Sequence, residues 1–137
     1  MLSLRFYTVA VHDLESAVEQ YQRQFGMDVL GERFRNPVVG TFDMVPMGYD
    51  GQLLLYLIQP INEEGALYRL MQDRKNQFNP QGEGVYLIAY ECEDPEAFAQ
   101  KVEKGGGRIT RVSNSKTVWV HPTSSNFVLM EIVPPRS

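Results

Sequence analysis

Few side chains in this sequence can do chemistry beyond carrying a charge. The 137 residues include one cysteine, Cys92, and two histidines, His12 and His121. A single thiol excludes a disulfide framework and a cysteine-rich zinc site, and two imidazoles argue against a multi-histidine metal centre within one subunit. We expect His12 to face solvent, and His121 to have a structural or surface role, or to donate or accept a hydrogen bond at the rim of a ligand site.

Other reactive motifs are missing from the sequence. It has no glycine-rich phosphate loop, no Ser–His–Asp order and no surroundings that would activate a cysteine. Cys92 is predicted to lie on the buried face of a strand, where a thiol is inert packing. The nucleophile and metal classes of catalysis therefore have little support from residue types alone.

Composition and charge exclude further classes. The apolar fraction of 43% and the charged fraction of 22% are typical of a globular domain, and the length fits one domain, 1–137. The net charge of −4 argues against a nucleic-acid partner and against a polybasic membrane anchor. No apolar run approaches the roughly 20 residues that span a bilayer, and the N-terminus lacks a signal-peptide pattern. We expect a cytoplasmic protein.

The first half of the chain predicts a strand, a helix and three further strands. Leu4–Val11 is rich in aromatic and β-branched residues, which favours a strand. Asp13 is a candidate N-cap, and Gly26 is a candidate C-cap of the helix between them. The apolar residues of that helix repeat at helical spacing: Leu14, Ala17, Val18, Tyr21 and Phe25. Extended segments follow at 29–35, 39–45 and 53–59.

The second half repeats this order. A strand is predicted over 85–92, and Asp94 then stands as an N-cap with Pro95 at the first helical position. Gly105–Gly107 end the helix, and extended segments follow at 108–113, 117–121 and 127–133. The same offset of 81 residues separates Asp13 from Asp94 and Gly26 from Gly107. We interpret the chain as an internal duplication, with module one at 3–60 and module two at 84–134.

An insertion at 61–83 separates the two modules. Ala66, Leu67, Leu70 and Met71 predict a short amphipathic helix within it. Such a helix either packs on the outer surface as a linker or lines a ligand cleft, and the sequence leaves both readings open.

Taken in order, these segments resemble the vicinal oxygen chelate superfamily, which includes glyoxalase I, methylmalonyl-CoA epimerase, extradiol dioxygenases and bleomycin-resistance proteins. The resemblance covers Leu4 to Pro134 and most closely matches the epimerase branch. It implies an α+β fold in which two βαβββ modules form curved mixed sheets around a cleft. It also implies a homodimer. The segments that carry it are Val9-Ala-Val-His-Asp-Leu-Glu, Phe25-Gly26-Met27, residues 82–91 and residues 121–133.

Metal-using members of that superfamily hold a divalent cation with two histidines and two carboxylates or amides. Carried over residue by residue, these positions fall on Phe6, Tyr56, Leu87 and Glu131. Only Glu131 keeps a ligand type, so we predict that the metal site is lost and that no cofactor is bound. A one-residue slip would replace Leu87 by Tyr86, which is not a usual ligand here either.

The same mapping predicts an apolar and aromatic cleft. Alternation along the strands should turn Tyr7, Val9 and Val11 towards their helix and Phe6, Thr8 and Ala10 towards the cleft. In module two, Ile88, Tyr90 and Cys92 should face the helix. We expect burial to raise the pKa of Glu131, which would then orient a ligand, act as an acid or base, or remain a structural relic. The predicted ligand-binding residues are Phe6, Thr8, Tyr56, Leu87, Glu91, Trp119, Leu129 and Glu131.

Each of the remaining groups has a second reading. Glu91 is either a polar group of the cleft or an ordinary solvated or paired charge, and Trp119 is either a stacking surface or core packing. Basic side chains either attract an anionic substrate such as an acyl-CoA phosphate or simply lie in solvent: Arg33, Arg35, Arg69, Arg74 and Lys75.

These expectations lead to three hypotheses about function. The first is a metal-free protein that binds a small, partly hydrophobic molecule, for which the bleomycin-resistance members are the precedent. The second is an epimerase, isomerase or lyase that uses Glu131 as an acid or base without metal. The third is a conventional divalent-metal enzyme whose ligands the mapping has placed wrongly.

Overall fold

The computed structural model describes residues 1–136 and has the expected α+β fold. Each predicted strand or helix has a counterpart, and a 3₁₀ turn at Pro122–Ser124 precedes the last strand. The elements are β1 (Ser3–Ala10), α1 (Leu14–Phe25), β2 (Asp28–Val29), β3 (Phe34–Arg35), β4 (Phe42–Tyr49), β5 (Gln52–Pro60), α2 (Gly65–Arg74), β6 (Gly84–Glu91), α3 (Pro95–Lys104), β7 (Ile109–Arg111), β8 (Val118–Val120) and β9 (Leu129–Val133).

The chain forms two compact units. One unit is Tyr7–Tyr86, called here the first unit. The other, the second unit, combines Met1–Phe6 with the chain from Leu87 onwards. The limits of both units fall inside β1 and β6, so these two strands contribute to both. The predicted division at 3–60, 61–83 and 84–134 follows the sequence repeat and stays a prediction.

The strand order is the same in the two units. In the first unit the order is β2-β4-β5-β1, with β3 also paired to β4, and β1 runs parallel to β5. In the second unit the order is β7-β8-β9-β6, and β6 runs parallel to β9. The remaining neighbours within each unit are antiparallel. This repetition is what an internal duplication produces.

The predicted helix caps are present. The Asp13 carboxylate accepts a hydrogen bond from the Ser16 amide at 3.2 Å, and Gly26 takes the left-handed conformation with φ 63°. Asp94 accepts from the Ala97 amide at 3.0 Å, with Pro95 in the first turn.

Two details of the first unit differ from the predictions. Phe25 is 51% exposed and lies edge-on to Tyr21, so it does not join the buried stripe of α1. The strand predicted to begin at Val39 begins at Phe42 instead. The reason is a turn in which the Asn36 side chain accepts hydrogen bonds from the amides of Val38 and Val39, each at 2.9 Å.

The sheet of the first unit is covered on both faces. On one face, Leu14 and Ala17 of α1 pack against a cluster that includes Leu55 and Leu57, and Tyr7, Val9 and Val11 lie on this face as predicted. On the other face, Leu67 and Met71 of α2 pack against Ala10, Phe42, Met44 and Ile58. The reading of α2 as a linker on the outer surface is therefore wrong, because this helix covers the sheet face opposite α1.

The core of the second unit lies between α3 and its sheet. Ala99 of α3 packs with Cys92, Val118, Val120 and Ile132, and Tyr90 and Phe98 border the cluster. Cys92 is buried, as predicted. No helix within residues 1–136 is both long enough and apolar enough to cross a membrane.

Candidate functional site

Glu131 lies on the sheet face of the second unit that is turned away from α3. Its flanking residues Met130 and Ile132 belong to the α3 core, so alternation turns Glu131 the other way. Its Cα partners are Ala89 in β6 and Trp119 in β8. Leu129 is paired with Leu87 on the same face. Strand register thus gathers Leu87, Trp119, Leu129 and Glu131 on one largely apolar face.

Burial dominates the electrostatics of Glu131. It raises the pKa of this carboxyl, and the positive charge of Arg5 opposes the shift without cancelling it. The raised pKa agrees with the expectation for a carboxylate among apolar neighbours. A carboxyl of this kind exchanges protons closer to neutral pH than an exposed glutamate does.

Glu91 has a different environment at the end of β6. It lies opposite Val133, and one oxygen is 3.9 Å from Nη1 of Arg5. The same Arg5 nitrogen donates to the carbonyl of Pro134 at 3.2 Å. Glu91 is therefore a paired charge, which agrees with the simpler of its two sequence readings.

Thr8 and Tyr56 belong to the first unit and are Cα partners on β1 and β5. Thr8 is buried, and Tyr56 is half-buried against the cluster that α2 covers. The Tyr56 ring makes an edge contact with Phe34, with 6.1 Å between the ring centroids. Sequence reasoning missed Phe34 because its strand has only two residues. Phe6, the last candidate, is half-buried in β1 and falls in the second unit.

Both histidines have structural partners. Nδ1 of His12 lies 2.9 Å from a carboxylate oxygen of Glu83, which also accepts the His12 amide at 3.0 Å. His121 accepts a hydrogen bond from the Thr123 amide and so caps the 3₁₀ turn. Each imidazole therefore fixes a chain segment, as the scarcity of other chemistry suggested.

The basic side chains of the first unit fall into two groups. Arg33 and Arg35 both donate to Asp43, at 2.8 Å and 2.6 Å, so their charge is shared with a buried carboxylate. Arg69 and Lys75 are exposed. Nη1 of Arg74 is buried without a hydrogen-bond partner. The reading of these residues as one anion-attracting surface is not supported by this arrangement.

An open pocket of about 630 Å³ lies elsewhere in the second unit. It is formed around the start of α3, by β7 and by the segment after β9, and includes Pro95, Arg111 and Pro134. None of the predicted ligand-binding residues lines it. It is therefore a separate feature from the face that carries Glu131.

Comparison with known proteins identifies the family. Residues 7–118 match the family described as the Glyoxalase/Bleomycin resistance protein/Dioxygenase superfamily. The chain belongs to this superfamily. The resemblance stated from the sequence is confirmed, and so is the fold class it implied.

The relatives within the superfamily are acyl-CoA epimerases. The ethylmalonyl-CoA/methylmalonyl-CoA epimerase of Cereibacter sphaeroides is 27% identical over 139 residues, covering 94% of this chain and 95% of that protein. A variant methylmalonyl-CoA epimerase of Streptomyces coelicolor in complex with 2-nitronate-propionyl-CoA is 26% identical, with a TM-score of 0.77 and full coverage of both chains. The methylmalonyl-CoA epimerase of Mycobacterium tuberculosis has a TM-score of 0.78 at 22% identity, covering 98% of this chain and 88% of that one.

The residues at the mapped metal positions do not fit a divalent cation. Phe6 and Leu87 have no donor atoms, and a neutral phenol such as that of Tyr56 is a poor ligand beside the single carboxylate of Glu131. Within residues 1–136, no three histidine, cysteine, aspartate or glutamate side chains are grouped in a way that could hold a metal ion. No reaction step is therefore assigned to a metal in this chain.

Proposed function

We propose that this superfamily member binds a small, partly apolar molecule without a metal ion. The observation that supports this most directly is the set of neighbours around Glu131. One protonatable carboxyl sits beside Trp119, Leu87 and Leu129 on a sheet face, where most families of metal enzymes would need several donor groups. Apolar and aromatic walls with a few orienting polar groups are typical of small-molecule sites.

The ligand class we propose is a short acyl-CoA thioester. The support is that the relatives are named for acyl-CoA substrates and that the Streptomyces coelicolor structure contains a propionyl-CoA analogue. A short acyl group would suit the apolar residues beside Glu131, and that carboxyl would orient the thioester.

The binding proposal is tested with the full chain, purified without a histidine tag. Propionyl-CoA is titrated while the fluorescence of Trp119, the single tryptophan, is followed. We expect saturable quenching or enhancement, and metal analysis should find no stoichiometric metal. Trp119→Phe controls for the probe, because calorimetry should still detect binding by that variant. Stoichiometric metal, or no binding in either assay, would contradict the proposal.

A second candidate function is supported by the raised pKa of Glu131. In this reading the chain is an isomerase, with the epimerase relatives as precedent, or a lyase. The ionised Glu131 carboxylate takes the proton from the carbon next to the thioester carbonyl, and the carboxylic acid so formed returns a proton to that carbon. Return to the opposite face inverts the centre, with no net change in atoms or electrons.

Exchange of deuterium from D₂O into the α-position of propionyl-CoA separates the two candidates. An acid–base role predicts exchange that is lost in Glu131→Gln while binding of propionyl-CoA persists. The exposed Glu15→Gln, in the first turn of α1, should exchange like the parent. Equal exchange in parent and Glu131→Gln would exclude this mechanism, whereas binding without exchange in the parent favours the binding protein.

A homodimer and a cytoplasmic location are the remaining parts of the proposal. Both come from the sequence, the first through the family resemblance and the second through the single cysteine and the missing signal pattern.

A further inference from the structure

We infer that the open pocket beside α3 binds a small zwitterion with an apolar body, in the manner of an apolar α-amino acid. This inference goes beyond the proposed function, because the pocket contains none of the residues assigned to the acyl-CoA site. Its volume of about 630 Å³ falls within the range of small-molecule pockets.

The walls of the pocket are apolar and stiff. Pro95 begins α3, and Pro134 and Pro135 follow β9, so three rings with restricted backbones surround the opening. Val118 forms part of the lining from β8 and is anchored in the α3 core. Such walls lose little conformational freedom when a ligand enters.

A double ion pair holds the polar wall in place. Arg111 of β7 donates two hydrogen bonds to Glu96 and two to Glu103, all between 2.9 and 3.0 Å. These bonds lower the pKa of both glutamates and raise that of Arg111, so all three groups stay charged at neutral pH. Because their charges are already paired, they fix α3 against β7 and leave little attraction for a ligand.

Two lining charges of opposite sign remain. The side chains of Glu93 and Lys116 both line the pocket, and within residues 1–136 neither has an ion-pair or hydrogen-bond partner. They are also not paired with each other, so the carboxylate and the ammonium lie apart along the opening. A ligand with an ammonium at one end of a short head group and a carboxylate at the other complements both, while its apolar body meets the proline and valine walls.

The inference is tested with L-leucine and two of its derivatives by NMR titration of the ¹⁵N-labelled full chain. Leucinamide lacks the carboxylate, and N-acetyl-leucine lacks the ammonium. We expect shift changes at Val112 and Val118 that saturate at millimolar leucine, with affinity at least fivefold weaker for each derivative. Glu93→Gln should weaken leucine towards the affinity of N-acetyl-leucine, and Lys116→Gln should weaken it towards that of leucinamide.

Matched variants control for the general field of the protein. Glu15→Gln and Lys101→Gln remove the same charges from helix surfaces outside the pocket and should leave leucine binding unchanged. The inference is overturned if leucine produces no saturable shifts at these residues, or if leucinamide binds as well as leucine. It is also overturned if the control variants weaken binding as much as Glu93→Gln and Lys116→Gln do.

Discussion

At the scale of single residues, Glu131 makes the folded state sensitive to pH. Burial raises its pKa above the unfolded value, so the folded chain holds this proton more tightly. Stability from this group is therefore fully present below the unfolded pKa of about 4.3 and is lost as pH rises through the folded pKa. A tenfold difference between the two acid constants corresponds to about 1.4 kcal/mol.

Glu131→Gln is expected to remove that pH dependence. The amide has nearly the same shape but no charge to bury, so the variant should gain stability relative to the parent as pH rises from about 4 to 8. Thermal unfolding of both proteins across this range measures the difference. A constant difference in melting temperature at all pH values would show that Glu131 is not desolvated in the folded protein.

Asp43 is expected to have the opposite dependence. Burial acts to raise its pKa, but the hydrogen bonds from Arg35 and Arg33 outweigh burial and hold the pKa below its ordinary value. The stabilisation is therefore present above the unfolded pKa of about 3.9 and is lost as pH falls through the folded pKa. We expect Asp43→Asn to cost about 1–2 kcal/mol at neutral pH, because both arginines are partly exposed.

Urea unfolding at neutral pH and again near pH 3 measures this loss. The cost of Asp43→Asn should shrink at the lower pH. Glu19→Gln is the control, because Glu19 pairs with Arg23 at an exposed site on α1, where the effect should be within about 0.5 kcal/mol. A cost for Asp43→Asn no larger than that of the control would contradict the bridging role.

At the scale of elements, the insertion depends on how its loop meets α2. Gly82 is buried with φ 67°, and a Cβ placed there would lie 1.8 Å from the Met71 carbonyl oxygen of α2. The following residue, Glu83, accepts and donates backbone hydrogen bonds with the Asn79 side chain and holds His12 through its carboxylate. Gly82 therefore joins α2 to the loop that leads into β6.

Gly82→Ala is expected to destabilise the protein by about 3 kcal/mol or more, since it combines a backbone clash with an unfavourable φ. Gly51→Ala is the matched control. Gly51 also has a positive φ, 77°, but nothing lies within 4 Å of an added Cβ, so only about 1 kcal/mol of backbone strain is expected. Equal melting temperatures for the two variants would show that the contact with Met71 is not a constraint.

At the scale of the whole molecule, large apolar side chains remain on the surface. Phe78 is 87% exposed, although the Asn76 side chain fixes its loop by accepting the amides of Phe78 and Asn79. Phe127 is 81% exposed and has a positive φ of 66°. Exposed apolar groups of this size are what an interface covers, which is consistent with the homodimer that the family resemblance implies.

Sedimentation equilibrium of the full chain over a range of concentrations tests the dimer. We expect twice the chain mass at micromolar concentration. Phe78→Ser and Phe127→Ser, made separately, should show whether either side chain contributes, since removing a buried aromatic anchor weakens association by tenfold or more. A parent protein that stays monomeric throughout would exclude the homodimer.

The sequence by itself determined the order of elements and the family. Local signals sufficed, because Asp13, Gly26 and Asp94 satisfy the ends of their own helices wherever those helices pack. Strand alternation also placed Tyr7, Val9 and Val11 on the α1 face and turned Glu131 away from α3. The raised pKa of Glu131 followed from that placement.

Only the tertiary structure decided which of several partners each remaining group has. The face on which α2 packs, the pairing of Arg33 and Arg35 with Asp43, and the hold of Glu83 on His12 all join residues distant in sequence or lying across a turn. The pocket between α3, β7 and the segment after β9 arises in the same way. Helical and strand periodicities indicate which side of an element is apolar, but contacts between elements depend on register and packing, which a single sequence does not encode locally.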